Sequence, residues 1–238
     1  MKIALFGYGK MGKEIEKIAI SRGHKIGLKI DENNVNSFSK SELKQCDVAI
    51  EFSTPHTVVA NILTCFDANI PIVVGTTGWY NQLTEIEEIC KQKNGCLFYA
   101  SNFSIGVNLF FKLNETLSKL MSNYNDYAVS IEEIHHIHKL DSPSGTAISI
   151  ANQIINTRKD KVKWVNSPTL KLDELEIISK REAEVPGTHS VKYHSVVDDI
   201  EIIHQAHNRK GFALGAVLAA EFSKEKKGIL GMKNLLNL

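Results

Sequence analysis

The sequence predicts an α/β protein in two parts, a doubly wound parallel sheet followed by a second α+β domain with a mainly antiparallel open sheet. Short apolar runs alternate with helix-period patterns through the first third of the chain, as parallel strands joined by crossover helices require. Beyond a boundary near residue 104, strand patterns follow one another with few helices between them, which is a different architecture. A final apolar segment, residues 211–225, is helical again and can return to either domain.

Taken in order, KIALF (2–6) reads as a buried strand. Met11, Ile15, Ile18 and Ala19 then fall on one helical face, and Gly23 supplies a left-handed cap. KIGLKI (25–30), DVAIEF (47–52), IPIVV (70–74) and CLFYA (96–100) are four further strands. Thr54-Pro55 fits a helix start, and residues 80–93 fit another helix. Past the boundary, residues 107–121 form a long amphipathic helix and residues 127–136 a strand. A helical stripe runs through Ala147, Ile148, Ala151, Ile154 and Ile155. Residues 158–182 are polar and mixed, a loop with one short strand, and 189–206 reads as two antiparallel strands meeting near Asp198-Asp199.

Composition narrows the partners. The apolar share of 43% and charged share of 23% suit a soluble globular chain of 238 residues. A formal net charge of +1 gives no electrostatic footing for nucleic acid. No apolar stretch is long enough to span a bilayer, and the apolar start is broken by Gly7, Gly9 and Lys10 without a cleavage site. Cys46, Cys65, Cys90 and Cys96 form no CxxC pair and no zinc spacing, which predicts free thiols and a cytoplasmic setting. The expected partner is a small molecule.

GYGKMG (7–12) matches GxGxxG after a predicted strand and at the opening of a helix. Gly7 permits the turn, Gly9 lets the backbone approach a pyrophosphate, and Gly12 lets the helix pack on the sheet, while Tyr8, Lys10 and Met11 complete the loop. The diphosphate would lie at the positive end of the helix dipole. Asp31 ends the second strand, where a carboxylate can hold the adenosine ribose. With Glu32 beside it the position disfavours a 2′-phosphate, although Lys10 and Lys29 could partly offset this. The pattern is Rossmann-type, and it predicts NADH and/or NADPH as cofactor with a preference for NADH. FSTP, including Phe52 and Ser53, and GTTGW, including Gly75, Thr76 and Thr77, sit at carboxyl ends of strands and are candidate walls of the nicotinamide site.

EEIHHIHKLDSPSGTA (132–147) holds the other chemistry. Residues two apart on a strand share a face, so His135 and His136 point opposite ways and the three histidines need not converge. Metal binding by His135, His136 and His138 stays open, but no zincin spacing is present and Lys139 would set a cation beside the metal. The N–H groups around Gly145 and Thr146, with the Ser144 and Thr146 hydroxyls, can cradle an anion at the helix start; an ordinary capped helix fits the same residues. His135 or Lys139 would donate a proton while SGT holds an acid.

These segments, with EFSTP, VVGTTGW, YASNFSIGVN, VPGTHSV and RKGFALGAV, resemble in order and along nearly the whole chain the 4-hydroxy-tetrahydrodipicolinate (dihydrodipicolinate) reductase family of bacterial lysine and diaminopimelate synthesis. The resemblance implies NAD(P)H-dependent reduction of a dicarboxylate cyclic imine to tetrahydrodipicolinate. His135 is then the proton donor and Lys139 its partner, His136, Gly145 and Thr146 are substrate ligands, and residues 75–77 with Ala100, Ser101, Asn102 and Phe103 are nicotinamide contacts. It also implies a dinucleotide domain of residues 1–104 and 212–238, a substrate and tetramerisation domain of 105–211, and a homotetramer. Hinges near 103–107 and 209–213 would close the two domains on the substrate. The chain departs from the family pattern at Ile137, where many members have Arg, and at Ala183 and Glu184, where Gly and Asp are common. Another nicotinamide oxidoreductase of the same plan explains the glycine loop but not HHIHK before SGTA. A catalytically silent dinucleotide sensor would tolerate loss of His135 and Lys139.

Overall fold

The computed structural model describes residues 1–34, 38–208 and 210–238. Arg209, at the edge of the second expected hinge, lies outside the described residues. The chain divides into two compact units, Met1–Ile105 with Lys210–Leu238, and Gly106–Arg209.

The first unit comprises β1 (Lys2–Phe6), α1 (Lys10–Ser21), β2 (Lys25–Ile30), α2 (Lys40–Leu43), β3 (Val48–Glu51), α3 (Val58–Ala68), β4 (Ile72–Val74), α4 (Leu83–Gln92, led in by a 3-10 turn) and β5 (Cys96–Tyr99). The strands form a parallel sheet that a later strand completes, with β2 at one edge and the order β5-β4-β3-β1-β2. Alternate residues of each strand enter opposite cores, so both faces demand apolar side chains. Ala4, Phe6, Ala49, Ile72 and Val74 pack with Leu43 of α2, Ile62 and Phe66 of α3, and Ile86 of α4. On the reverse face, Ile3, Leu5, Val48, Ile50 and Val73 meet Ile15 and Ala19 of α1. Gly23 adopts φ +81 just past α1, the left-handed cap that its position predicts.

The second unit comprises α5 (Ile105–Met121, whose first residue belongs to the first unit), β6 (Ala128–His135), α6 (Gly145–Thr157), β7 (Lys163–Val165), β8 (Glu174–Arg181), β9 (Gly187–His194) and β10 (Asp199–Ala206). Its sheet has the order β10-β9-β6-β8-β7. The sheet is mixed rather than mainly antiparallel: β10 and β6 each run antiparallel to β9, whereas β6, β8 and β7 are parallel. The cause is β8, which the reading of 158–182 as a loop with one short strand does not contain. Its alternation of Leu175 and Ile177 is masked by the interleaved charges Glu174, Glu176 and Lys180. One face of the sheet is covered by apolar residues of α5 and α6, with Phe110, Ile150 and Ile154 against Val129, Ile131, Ile177, Val191 and Tyr193.

The chain then returns to the first unit as α7 (Lys210–Ser223), β11 (Gly228–Leu230) and α8 (Met232–Leu236). Small residues let α7 lie close to the sheet: Ala213, Ala216, Ala219 and Ala220 are buried, and a Cβ on Gly215 would fall 1.8 Å from the Phe103 carbonyl. β11 pairs parallel with β5 and extends the sheet to six strands. Neither β11 nor α8 is evident from sequence pattern, since each is shorter than one hydrophobic period can resolve. Helix α3 also starts later than Thr54-Pro55 suggests, because the Thr54 carbonyl first accepts the N–H groups of Thr57 and Val58 in a preceding turn. Among the described residues no helix is long and apolar enough to cross a membrane, and all four cysteines are free and buried.

Candidate active site

In the first unit the strand order reverses between β1 and β3, because β2 lies on one side of β1 and all later strands on the other. Loops at the carboxyl ends of these strands diverge there and leave a crevice. A cavity of about 540 Å³ occupies this point, lined by Gly7, Tyr8 and Gly9 after β1, Asp31 and Glu32 after β2, and Phe52 and Ser53 after β3. Gly7 stands at φ +89, and a Cβ there would lie 2.0 Å from the Phe52 carbonyl. A Cβ on Gly12 would lie 2.2 Å from the Gly7 carbonyl, whereas one on Gly9 would meet nothing within 4 Å. Two glycines are therefore closed by backbone and the middle one faces open space. No side chain caps α1 and no acid lies in its first turn, so its N–H groups remain available to an anion. These features fit a dinucleotide diphosphate.

Asp31 is fixed at the crevice edge, with its Oδ1 accepting the Asn33 N–H at 2.9 Å. Lys29 does not offset its charge as the sequence suggested: its Nζ pairs with Glu16 at 2.7 Å and lies 4.8 Å from the centre of the Tyr8 ring. Tyr8 and Lys29 in turn hold the Glu16 carboxyl below its ordinary pKa, the Lys29 hydrogen bond being the larger cause. Lys10 is exposed and Met11 half-buried.

Below the crevice, Glu51 ends β3 fully buried. Its Oε1 accepts the Ser53 N–H at 3.1 Å, the Ser53 hydroxyl, and the Asn61 amide at 3.3 Å. The Ser53 N–H also reaches Thr76 Oγ1 at 2.9 Å, which ties the end of β3 to the end of β4. Burial raises the Glu51 pKa against the bonds from Ser53, Thr76 and Asn61. Residues 75–77 and 100–103 follow β4 and β5 at the same edge of the sheet. Gly75 faces the Phe52 ring, Thr77 and Ser101 are exposed, Ala100 is half-buried, and Asn102 Oδ1 accepts the Ser104 N–H at 2.8 Å. The Phe103 ring is not at the surface; it stacks on Phe98 in the core, which leaves only its backbone for a cofactor.

In the second unit, the core face of β6 runs Val129, Ile131, Glu133, His135, changing from apolar to ionisable along one strand. Register continues the change sideways: Glu133 stands opposite Ser179 on β8 and His189 on β9, and His189 opposite His204 on β10. Glu133 is fully buried. Its oxygens accept the Ser144 N–H at 3.0 and 3.1 Å and the Ser179 hydroxyl at 2.8 Å. His135 Nδ1 lies 3.5 Å away, His189 Nε2 3.7 Å and Arg181 Nη1 3.6 Å. Burial works to raise the Glu133 pKa, but the neighbouring His189 imidazole and the hydrogen bonds from Ser144 and Ser179 overcome it and hold the carboxyl at about 2. Burial pushes His135 down to about 4, opposed by the Glu133 charge.

His135, His136 and His138 do not converge. His135 is buried, His136 begins the turn, and His138 is exposed beside Glu184 at 3.3 Å. Lys139 Nζ donates to both oxygens of Asp141 at 2.7 and 2.8 Å. The Ser144 hydroxyl caps α6 by accepting the Ala147 N–H at 3.1 Å and meets His189 at 3.2 Å, so it is committed within the fold rather than to a ligand. Gly145 and Thr146 remain at the accessible helix start, with nothing within 4 Å of a Cβ on Gly145. Sequence reasoning missed Glu133 and His189. Period-two spacing from His135 was the available signal for the first; the second depends on strand register, which short patterns do not carry. Atoms of Glu133, His135 and His189 lie within 4.8 Å of one another, a spacing a metal could use. The donors already facing Glu133 make it a hydrogen-bonded hub.

Comparison with known proteins places the chain in a family. The family model described as dihydrodipicolinate reductase, N-terminus, matches residues 1–103, and that described as its C-terminus matches 106–236. A 4-hydroxy-tetrahydrodipicolinate reductase of Christiangramia forsetii is 50% identical over 241 residues, covering 100% of this chain and 98% of the relative. The solved dipicolinate-bound dihydrodipicolinate reductase from Paenisporosarcina sp. TG-14 superposes with a TM-score of 0.78 at 23% identity, over 98% of each chain. An amine dehydrogenase from Mycobacterium smegmatis shares the fold at a TM-score of 0.58 and 8% identity, over 97% of this chain and 94% of its own.

Two outcomes follow from the geometry. Gly9→Ala should leave the melting temperature near that of the parent while weakening NADH binding by about tenfold, or roughly 1.4 kcal/mol; Gly12→Ala should instead lower stability by about 1–3 kcal/mol through overpacking. Fluorescence titration and thermal melts separate the two. Acid should destabilise the second unit in two stages. Between pH 6.5 and about 4 the unfolded His135 takes up a proton that the folded residue refuses. Between 4.5 and about 2 the folded Glu133 keeps the charge that its unfolded form loses. Both stages remove stability as pH falls, and His135→Gln should shrink the upper one in urea titrations across this range, leaving the share of His204, whose pKa burial also lowers.

Proposed function

The chain belongs to the dihydrodipicolinate reductase family, and on that premise we propose that it reduces 4-hydroxy-tetrahydrodipicolinate to tetrahydrodipicolinate in lysine and diaminopimelate synthesis. The observation that carries the reading is the second unit's pairing of a buried imidazole, His135, with an open helix start at Gly145 and Thr146. A dicarboxylate needs an anion cradle, and its reduction needs a proton.

Gly7, Tyr8, Gly9, Gly12, Asp31, Phe52 and Ser53 would hold the dinucleotide, with the segments 75–77 and 100–103 beside them. A reduced nicotinamide bound there would supply a hydride, and the substrate carbon that receives it is ring C4, once the 4-hydroxyl has left as water. The chain's own groups do the rest. Gly145 and Thr146 N–H groups bind a ring carboxylate at the positive end of α6, with His136 as a further ligand. Negative charge then develops toward the ring nitrogen and C3, and His135 delivers a proton with Lys139 as its partner. An imidazole whose proton affinity is depressed by burial is neutral in the free protein, and an arriving dianion raises that affinity by direct charge attraction. Lys139, held by Asp141, adds a second source of protons at the turn.

Asp31 and Glu32 at the crevice, with Lys29 neutralised by Glu16, support NADH over NADPH, the latter still usable. The family resemblance supports a homotetramer.

The substrate, formed in place by the preceding synthase from pyruvate and aspartate semialdehyde, should drive oxidation of both cofactors, with the lower KM for NADH. Absence of synthase-dependent oxidation would remove the proposed substrate, and a clear NADPH preference would remove the reading of Asp31. In the same assay Lys139→Ala should lower turnover by at least about a hundredfold, the range for lost acid-base assistance; near-parental turnover would take Lys139 out of the mechanism.

A further inference from the structure

Glu133 is a buried carboxylate that the reaction itself does not require, yet it lies beside His135 and holds the residue that starts α6, two features that the proposed reaction uses. It lies 3.5 Å from His135 Nδ1, accepts the N–H of Ser144 at the start of α6, and faces His189 across the β6–β9 ladder. We propose that Glu133 and His189 are positioning residues that fix His135 with its resting proton on Nδ1, so that Nε2 takes up a second proton from solvent or Lys139 as the substrate dianion arrives and passes that proton to the substrate, and that the same carboxylate anchors the helix start that receives the substrate. The proposal rests on the reading of His135 as proton donor.

The geometry supports each part. His135 Nδ1 is buried and has no hydrogen-bond partner among the described residues, with the Glu133 carboxylate beside it. A neutral imidazole places its single proton on the nitrogen nearest an anion, because that tautomer alone turns a donor toward the charge. The His189 ring meets His135 edge to face, with centres 5.0 Å apart, and restricts rotation of the His135 ring. Next to His135 Nε2 stands Gly187, at φ +155, where a Cβ would come within 3.1 Å of that nitrogen. The missing side chain leaves Nε2 unobstructed. The charged and titratable groups facing the pair are His189 from β9, Arg181 from β8, and Lys139 and Asp141 from the turn after β6. His204 of β10 lies beyond His189, and α6 carries no charged residue.

Three measurements on the full chain test this. In wild-type protein labelled with 15N-histidine, long-range nitrogen–proton correlation, assigned by loss of the signal in His135→Gln, should show His135 as the Nδ1–H tautomer at pH 7; the Nε2–H tautomer would overturn the proposal. Glu133→Gln should lower kcat by about tenfold or more, leave the KM for NADH unchanged, and move the alkaline limb of the kcat/KM profile, where the proton donor is lost, to lower pH, because the anion that favours imidazolium is gone. Parental kcat with an unmoved profile would overturn it. His189→Gln should lower kcat with the same unchanged KM for NADH. Metal analysis should find no stoichiometric ion, since an ion held by Glu133, His135 and His189 would make them ligands instead. If a substituted chain does not fold, the wild-type tautomer still decides. If wild-type protein does not reduce the cyclic imine, the proposed reaction fails while the tautomer measurement still judges the pair.

Discussion

An ionised carboxylate can be buried only if its lone pairs find donors, and much of the second unit is organised by that demand at Glu133. Ser144 meets it from the start of α6, Ser179 from β8, and His189 stands by from β9. Removing the charge would therefore loosen three elements at once rather than one contact. The apolar half of the same face, with Val129, Ile131, Ile177 and Val191, supplies the burial that makes those bonds strong. Stability and chemistry share one surface, divided along the strands.

The first unit solves a different problem with related means. Its sheet is buried on both sides, so function is confined to the ends of strands and the loops beyond them. The reversal between β1 and β3 opens the crevice, and the bare start of α1 leaves N–H groups for an anion. In the second unit a helix start again offers N–H groups, at Gly145 and Thr146. Both units thus present a helix start whose backbone dipoles suit an anion without a surplus of exposed cations, in keeping with a net charge of only +1.

Much of this was legible in the sequence where the signal is local. The glycine loop, its acid, strand β6 and the start of α6 each lie within one short stretch whose residue types have a direct geometric meaning. What was not legible depends on residues far apart. β8 hides its period among charges, and only pairing with β6 and β7 makes it a strand. Glu133 and His189 are 56 positions apart by their numbers, 189 less 133, and meet only through β6–β9 register. The helix start puts the Ser144 hydroxyl among anion donors and the family resemblance makes Phe103 a nicotinamide contact, whereas tertiary structure gives the hydroxyl to a cap and the ring to the core. Lys29, which by sequence could partly offset the acids at Asp31 and Glu32, is instead held by Glu16, thirteen residues earlier on α1.

If the chain adds hydride to one carbon of an unsaturated cyclic dicarboxylate, a dinucleotide deuterated at its transferable position should mark that carbon, and magnetic resonance of the product reads the mark. The expected product carries a single deuterium at C4 of tetrahydrodipicolinate, with the remaining new hydrogen drawn from solvent. Deuterium at another ring position, or none in the product, would overturn the proposed hydride transfer.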